Sequence, residues 1–174
     1  MKQTWRIALA GAVLALTAGP ALAQAWPSKP VRMVVPFPPG GATDAAARIY
    51  AQHLGDFLGQ GVVVENKAGA GGEIGAEYVA KSAPDGYTLL MGAVGSHAIH
   101  AAMPDKPGYD FATAFVGVSM ATSMPMAVAV NSKVPATNVQ ELIALAKSKP
   151  GTITFGSAGP GTSQHMAGCL LYTS

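Results

Sequence analysis

Short apolar runs alternate with helical segments between residues 31 and 93. The runs 31–35, 62–66 and "TLLMGA" predict buried strands, and the segments 44–58 and "EIGAEYVAKS" predict the helices between them. Strands joined by helices of this length form parallel β-α-β units with helices on both faces of the sheet. The sequence therefore predicts an α/β fold.

A second block of the same kind follows further along the chain. "MAVAVN" predicts a strand, "VQELIALAKSK" predicts a helix that ends at Pro150 and Gly151, and "TITFGS" predicts a strand that leads into a final helix. Small and polar residues between Ser119 and Pro125 interrupt the apolar pattern. We therefore expect two units, residues 24–122 and residues 123–174.

The N-terminus has the pattern of a signal peptide. Lys2 and Arg6 give it a basic start, an apolar stretch runs over residues 7–18, and Ala21-Leu22-Ala23 forms an A-x-A cleavage site. The apolar stretch is shorter than the roughly 20 residues needed to span a bilayer, although an uncleaved anchor helix is the alternative. We expect residues 1–23 to be removed and an exported protein to start near Gln24.

The charge and cysteine content exclude several classes of protein. Of the 11 basic residues, 9 remain when Lys2 and Arg6 are set aside, and they balance the 9 acidic residues. No stripe of basic residues runs along the chain. A nucleic-acid partner is therefore not expected. The single cysteine, Cys169, allows no intrachain disulfide, and no ligand spacing for zinc occurs, so neither a metal nor a cofactor is predicted.

Two glycine-rich corners connect a predicted strand to a predicted helix. The first corner is "PFPPGGATD" (residues 36–44) and the second corner is "FGSAGPGTS" (residues 155–163). Parallel sheets bind ligands where such corners leave the strands, and the N–H groups of a helix N-terminus attract anions. Glycine allows a ligand to approach the backbone, and proline reduces the cost of ordering the loop. Neither corner contains arginine or lysine, so the pattern predicts a small organic acid held by main-chain N–H groups, hydroxyls and bridging water.

Asp44 is open to two interpretations. A carboxylate at the start of a helix is favourable to the helix dipole. The same carboxylate would repel a bound acid, unless it accepts a hydrogen bond from an amine, a hydroxyl or a water of the ligand complex. Both roles are compatible with the sequence.

Three stretches resemble a known family of receptors. "WPSKPVRMVVPFPPGGATDAAAR", "VVVENKAGAGGEIGAEYVAKSAPDGYTLLMG" and "ITFGSAGPGTSQHMAG" are similar to the Bug-type periplasmic substrate-binding receptors of tripartite tricarboxylate transporters. The resemblance implies a two-lobed, Venus-flytrap periplasmic binding protein, monomeric and without enzymatic activity. Such a receptor closes around a small organic acid or an acidic amino acid and delivers it to membrane permease subunits.

The resemblance also implies which residues line the ligand cleft. On one side it places a set from the first corner, and on the other a set from the second corner and the helix after it, with two weaker candidates from the loop after "TLLMGA". These are Phe37, Pro39, Gly40, Gly41, Ala42, Thr43 and Asp44; Ser157, Gly159, Gly161, Thr162 and His165; and Ser96 and His97. For both histidines, a structural role with local hydrogen bonds is the alternative.

The chain departs from the family pattern at several positions. His100 stands where the family more often has asparagine, and Ala114 replaces the usual acidic residue before Phe115. Family chains continue beyond the point at which this sequence ends. We therefore expect most of lobe one and a second lobe that is truncated within the helix after the second corner.

Other sites are less well supported by the sequence. Ser157 or Ser163 with His165 and Asp44 would suggest a secreted serine hydrolase, but the G-x-S-x-G elbow is absent. "GAGGEIG" follows a strand, yet Ile74 stands where a dinucleotide fingerprint needs glycine. His97 and His100 lack a third metal ligand nearby in sequence. None of these three sites is preferred over the carboxylate cleft.

Overall fold

The computed structural model describes residues 25–104 and 108–173, and the predicted signal peptide lies outside these ranges. The strands are β1 (Val31–Val35), β2 (Val62–Asn66) and β3 (Thr88–Leu90). The helices are α1 (Ala42–Leu58), α2 (Glu73–Ala80), α3 (Ala98–Ala102), α4 (Phe111–Ala114), α5 (Val139–Ser148) and α6 (Ser163–Thr173), with 3₁₀ turns at Ala70–Gly72 and Val94–Ser96. Among these helices, none is both long enough and apolar enough to cross a membrane.

The three strands form one parallel sheet in the order β2-β1-β3. The chain crosses from β1 to β2 through α1, and then returns past β1 to β3 through α2. Because β-α-β crossovers are right-handed and these two run in opposite directions, α1 and α2 cover opposite faces of the sheet. The predicted α/β fold with a parallel sheet is confirmed.

The central strand β1 supplies most of the hydrophobic core. Met33 and Val35 pack with Ala47 of α1 and with Met91, while Val34 is fully buried on the other face of the strand. Burial of a side chain of this size stabilises a fold by about 1.5–3 kcal/mol. The core thus fixes β1 between its neighbours, and it fixes the end of β1, where the first corner begins.

Two predicted strands are not present as strands. Residues 126–131 and 152–157 have no strand pairing, and Val128 and Phe155 are 64% and 46% exposed. A β-strand exists only through hydrogen bonds to a neighbouring strand, and the described residues place none beside these segments. The helix between them forms as predicted, because Asn138 accepts a hydrogen bond from Glu141 N and the Glu141 carboxylate accepts one from Thr137 N.

Candidate functional site

The first corner leaves the carboxyl end of β1 and leads directly into α1. Pro36 is fully buried, and Gly41 is the N-cap of α1, with extended backbone (φ −77°, ψ 168°) and no side-chain hydrogen bond to the helix end. The first N–H groups of a helix have no partner within the helix. The N–H groups of Ala42 and Thr43 are therefore positioned to bind an anion.

Asp44 organises the first corner through three hydrogen bonds. Its carboxylate accepts from Gly40 N, Arg48 Nε and Asn66 Nδ2, each at 2.9 Å. Asn66 Nδ2 also donates to Phe37 O at 3.0 Å, so both ends of the loop are tied to the last residue of β2. Asp44 is only 3% exposed. Its contacts fit the structural interpretation, in which the carboxylate fixes the loop.

The environment of Asp44 keeps it ionised. The hydrogen bond from Arg48, together with those from Gly40 and Asn66, holds the pKa of the Asp44 carboxyl well below its usual range. The Arg48 guanidinium lies against the same carboxylate in an i,i+4 ion pair. The positive charge of Arg48 offsets the repulsion that a bare carboxylate would exert on a nearby acid.

The second corner leads into α6 and is held by its own side chains. Thr162 is 1% exposed; its Oγ1 donates to Gly159 O at 2.7 Å and accepts from His165 N at 3.3 Å, which caps the helix. Ser157 Oγ accepts from Gly159 N at 3.3 Å and lies 3.1 Å from His165 Nδ1. The hydrogen bond from His165 N to Thr162 Oγ1 occupies the N–H group at the third position of α6. The N–H groups of Ser163 and Gln164, at the first two helical positions, have no partner within the helix.

The second corner packs directly on the loops that follow β2 and β3. A Cβ atom added to Gly95 would lie 2.8 Å from Thr162 Cα, and one added to Gly71 would lie 2.4 Å from Pro160 O. The His100 ring lies against Gly161, and its Nδ1 is 2.6 Å from Gly95 O. Because these residues are glycines, the neighbouring backbone atoms and the His100 ring can approach them closely. A side chain at any of these positions would overlap those neighbours.

A cleft of about 540 Å³ lies between the two corners. The first corner forms one wall, the start of α6 forms the other, and the loop after β3 contributes the residues between them. The lining residues are Phe37, Pro38, Pro39, Gly40, Gly41, Ala42, Thr43, Ala93, Gly95, Ala158, Thr162, Ser163 and Gln164. The first turns of α1 and α6 thus open on the same cleft.

Half of the residues named from the sequence line this cleft. They are Phe37, Pro39, Gly40, Gly41, Ala42, Thr43 and Thr162. The other seven, Asp44, Ser96, His97, Ser157, Gly159, Gly161 and His165, lie outside the lining and make contacts within the protein. Which of these residues contact a ligand stays a prediction.

Ser96 and His97 belong to a separate cluster next to the cleft. Ser96 is fully buried, and its Oγ donates to Ala93 O at 2.9 Å. The His97 ring stacks on Phe111 and lies against Phe115, each with a centroid distance of 5.3 Å. Burial lowers the pKa of His97, which favours the neutral ring at pH 7. The two residues support the loop that carries Ala93 and Gly95.

The proposed hydrolase residues do not assemble as a triad. Ser157 and His165 lie within hydrogen-bonding distance, but the Asp44 carboxylate accepts from Gly40, Arg48 and Asn66. A triad needs a carboxylate that orients the histidine. Among the described residues there is also no cluster of three or more potential metal ligands.

The sequence reasoning did not name Pro38, Ala158 and Ser163 as cleft residues, although they line the cleft from within the two corners, and it missed four residues outside the corners that shape the site. Ala93, Gly95 and Gln164 line the cleft, and Asn66 ties the first corner to β2. Asn66 could have been identified from the sequence. It is the last residue of a strand beside β1, and the carboxyl ends of parallel strands meet at one edge of the sheet. Gln164 stands next to the second corner, at the second position of its helix.

Comparison with known proteins gives a consistent result. Residues 46–172 match the model of the tripartite tricarboxylate transporter family receptor, TctC. Protein BugT of Bordetella pertussis is 41% identical over 174 residues, which cover 95% of this chain and 52% of BugT. The chain therefore spans about half the length of this curated relative.

Solved structures extend the similarity to the fold. MatC (Rpa3494) from Rhodopseudomonas palustris, with bound malate, superposes with a TM-score of 0.80 at 33% identity, covering 85% of this chain and 50% of MatC. The periplasmic binding protein BugD superposes with a TM-score of 0.69 at 36% identity, covering 85% of this chain and 49% of BugD. The described fold thus corresponds to half of a periplasmic solute-binding protein.

Proposed function

The chain belongs to the tripartite tricarboxylate transporter receptor family, and we propose that it binds a small carboxylate in the cleft between its two corners and delivers it to membrane permease subunits. The observation that carries this proposal is the pair of helix N-termini, α1 and α6, that open on one cleft of about 540 Å³. Their free N–H groups and partial positive charges face the same space. Among the described residues that line the cleft, none carries a charge, so the N–H groups are the main donors for an anion.

The magnitudes are sufficient for a receptor. A hydrogen bond to a charged group contributes about 1.5–3 kcal/mol, and a helix N-terminus about 0.3–2 kcal/mol. Four or five such contacts supply the roughly 8 kcal/mol of a micromolar complex after the costs of association. Malate bound to MatC supports an acid of this size as the ligand class.

Several broader features belong to the same proposal. The protein acts as a monomer in the periplasm, after export and removal of residues 1–23, and it performs no catalytic step. Its two lobes divide near residue 122, so that the first corner lies in residues 24–122 and the second corner in residues 123–174. Acidic amino acids, which carry the same carboxylate group, are included among the candidate ligands.

Isothermal titration calorimetry tests the proposal. The purified protein is titrated with a panel of mono-, di- and tricarboxylates, and of acidic and amide amino acids. We expect at least one acid to bind with micromolar or tighter affinity. The absence of heat with every acid would overturn the proposal, and labelling of Ser157 or Ser163 by a serine-reactive phosphonate would favour a hydrolase instead.

A further inference from the structure

The cleft offers few polar side chains to a ligand. In the part of the lining that the structure describes, only Thr43, Thr162, Ser163 and Gln164 have polar side chains. Thr162 is already used, because its hydroxyl donates to Gly159 O and accepts from His165 N. Recognition of any part of the ligand beyond the group held by backbone N–H groups therefore depends on Thr43, Ser163 and Gln164.

Gln164 differs from the other two in reach and in hydrogen-bonding capacity. It is exposed, it occupies the second position of α6, and its amide makes no hydrogen bond within the described residues. The amide has two N–H donors and a carbonyl acceptor, whereas each hydroxyl has one donor. Its side chain is also longer than a serine or threonine side chain.

We infer that Gln164 is the residue that selects ligands with a second carboxylate. This inference rests on the proposed function, in which the first carboxylate is bound by the N–H groups of the two helix ends. Since none of the described residues that line the cleft has a cationic side chain, a second carboxylate is met there by a neutral donor, and Gln164 has the longest of the polar side chains in this lining. A ligand that ends in a methyl group would leave that amide without its partner once the cleft is closed around it, and an unmade hydrogen bond is costly.

Matched pairs of acids test the inference directly. Calorimetry compares succinate with butyrate, glutarate with pentanoate and adipate with hexanoate, on the wild type and on Gln164→Leu and Gln164→Glu. We expect the wild type to prefer the dicarboxylate of its best pair by about 10-fold or more. Gln164→Leu should weaken that dicarboxylate and strengthen the monocarboxylate, because leucine has no amide to leave unpaired, so that the preference is lost. Gln164→Glu should weaken the dicarboxylate further because like charges repel.

Gln140 provides a matched control. It is also an exposed glutamine at the second position of a helix, α5, and it does not line the cleft. Gln140→Leu should therefore bind both members of each pair as the wild type does. Thermal melts of all variants should coincide, since both glutamines are exposed.

The possible outcomes separate this inference from the proposed function. If the wild type binds none of the six acids, nor any other acid of the calorimetric panel, the carboxylate function fails and the inference fails with it. If the wild type binds an acid but does not prefer the dicarboxylate, the selecting role of Gln164 is overturned while the receptor function stands. The same conclusion follows if Gln164→Leu weakens both members of a pair equally, or weakens neither.

Discussion

Gly41 exposes bare backbone to the cleft at the start of α1. Its φ of −77° suits any residue, and an added Cβ would meet only Pro38 O, at 3.7 Å. We therefore predict that Gly41→Val folds with a loss of at most about 1 kcal/mol, from the poorer N-cap. Its side chain would occupy the space of the ligand's carboxylate, so affinity should fall about 10- to 100-fold, the equivalent of one or more charged hydrogen bonds. Calorimetry with the best carboxylate measures the affinity, and urea unfolding measures the stability.

Gly61→Val is the control for this substitution. Gly61 is exposed, an added Cβ would meet nothing within 4 Å, and the residue lies outside the cleft between the corners. Its variant should bind as the wild type does. Equal losses of stability and affinity in Gly41→Val would mean that the first corner has a purely structural role.

Asp44 makes the stability of the protein depend on pH in the acid range. Because its pKa is lowered in the folded state, its contribution to stability is present above the unfolded pKa of about 3.9 and is lost as the pH falls towards the lower folded pKa. We predict that the melting temperature of the wild type falls more steeply below about pH 4 than that of Asp44→Asn. The variant should be the less stable of the two at pH 7.

Circular dichroism melts between pH 2 and pH 7 measure this difference, in steps of roughly half a pH unit across the range in which the carboxyl titrates. The other carboxylates are common to both proteins and cancel in the comparison. Parallel curves for the two proteins would contradict the role assigned to the Asp44 network.

At the scale of residues, the sequence predicted the corners better than their supports. Glycine and proline signal a corner wherever they stand, so the first corner could be located from local pattern alone, whereas its individual lining residues were implied by the family resemblance. Asn66 lies 22 residues from Asp44 in the sequence, and only the pairing of β1 with β2 brings the two side chains together. Ser157 Oγ and His165 Nδ1 lie within hydrogen-bonding distance of each other in the second corner, and a contact of either residue with the ligand stays a prediction.

At the scale of elements, the second corner is held in place by contacts between backbones. A Cβ at Gly95 would lie 2.8 Å from Thr162 Cα and 3.1 Å from Gly161 O. We predict that Gly95→Ala lowers the free energy of unfolding by about 1–3 kcal/mol, since neither backbone can yield without moving the corner. It should also weaken carboxylate binding, because the wall formed by α6 would shift. Urea denaturation and calorimetry test the two effects.

Gly117→Ala is the matched control for Gly95→Ala. An added Cβ at Gly117 would meet nothing within 4 Å, and the residue lies outside the cleft. This variant should match the wild type in stability and in binding. Unchanged stability in Gly95→Ala would show that the second corner is not packed against the loop after β3.

The secondary-structure elements also show which parts of the fold can be predicted from the sequence alone. The strands β1, β2 and β3 and the helices α1, α2, α5 and α6 followed from apolar periodicity and capping residues. The runs at 126–131 and 152–157 have the same periodicity but form no strand, because pairing depends on a neighbour that a local pattern cannot specify. The exposed residues Met126, Val128 and Val130 lie in the first of these runs.

At the scale of the whole molecule, function depends on bringing two distant stretches of chain to one cleft. The first corner and the start of α6 are separated by more than a hundred residues in the sequence, yet both line the same space. The sequence suggested their similarity, since each is a glycine-rich strand-to-helix corner. Their proximity follows from the packing of Gly71, Gly95 and Gly161, which no local pattern reveals. The division into two lobes near residue 122 stays a prediction.

The central claim is that the N–H groups of both helix ends bind the same acid. The most direct measurement is an amide proton NMR titration of the ¹⁵N-labelled protein with its best carboxylate. We predict that the amide signals of Ala42 and Thr43 and those of Ser163 and Gln164 shift downfield together, with one common dissociation constant. Shifts confined to one corner, or shifts elsewhere with both corners unchanged, would contradict the account.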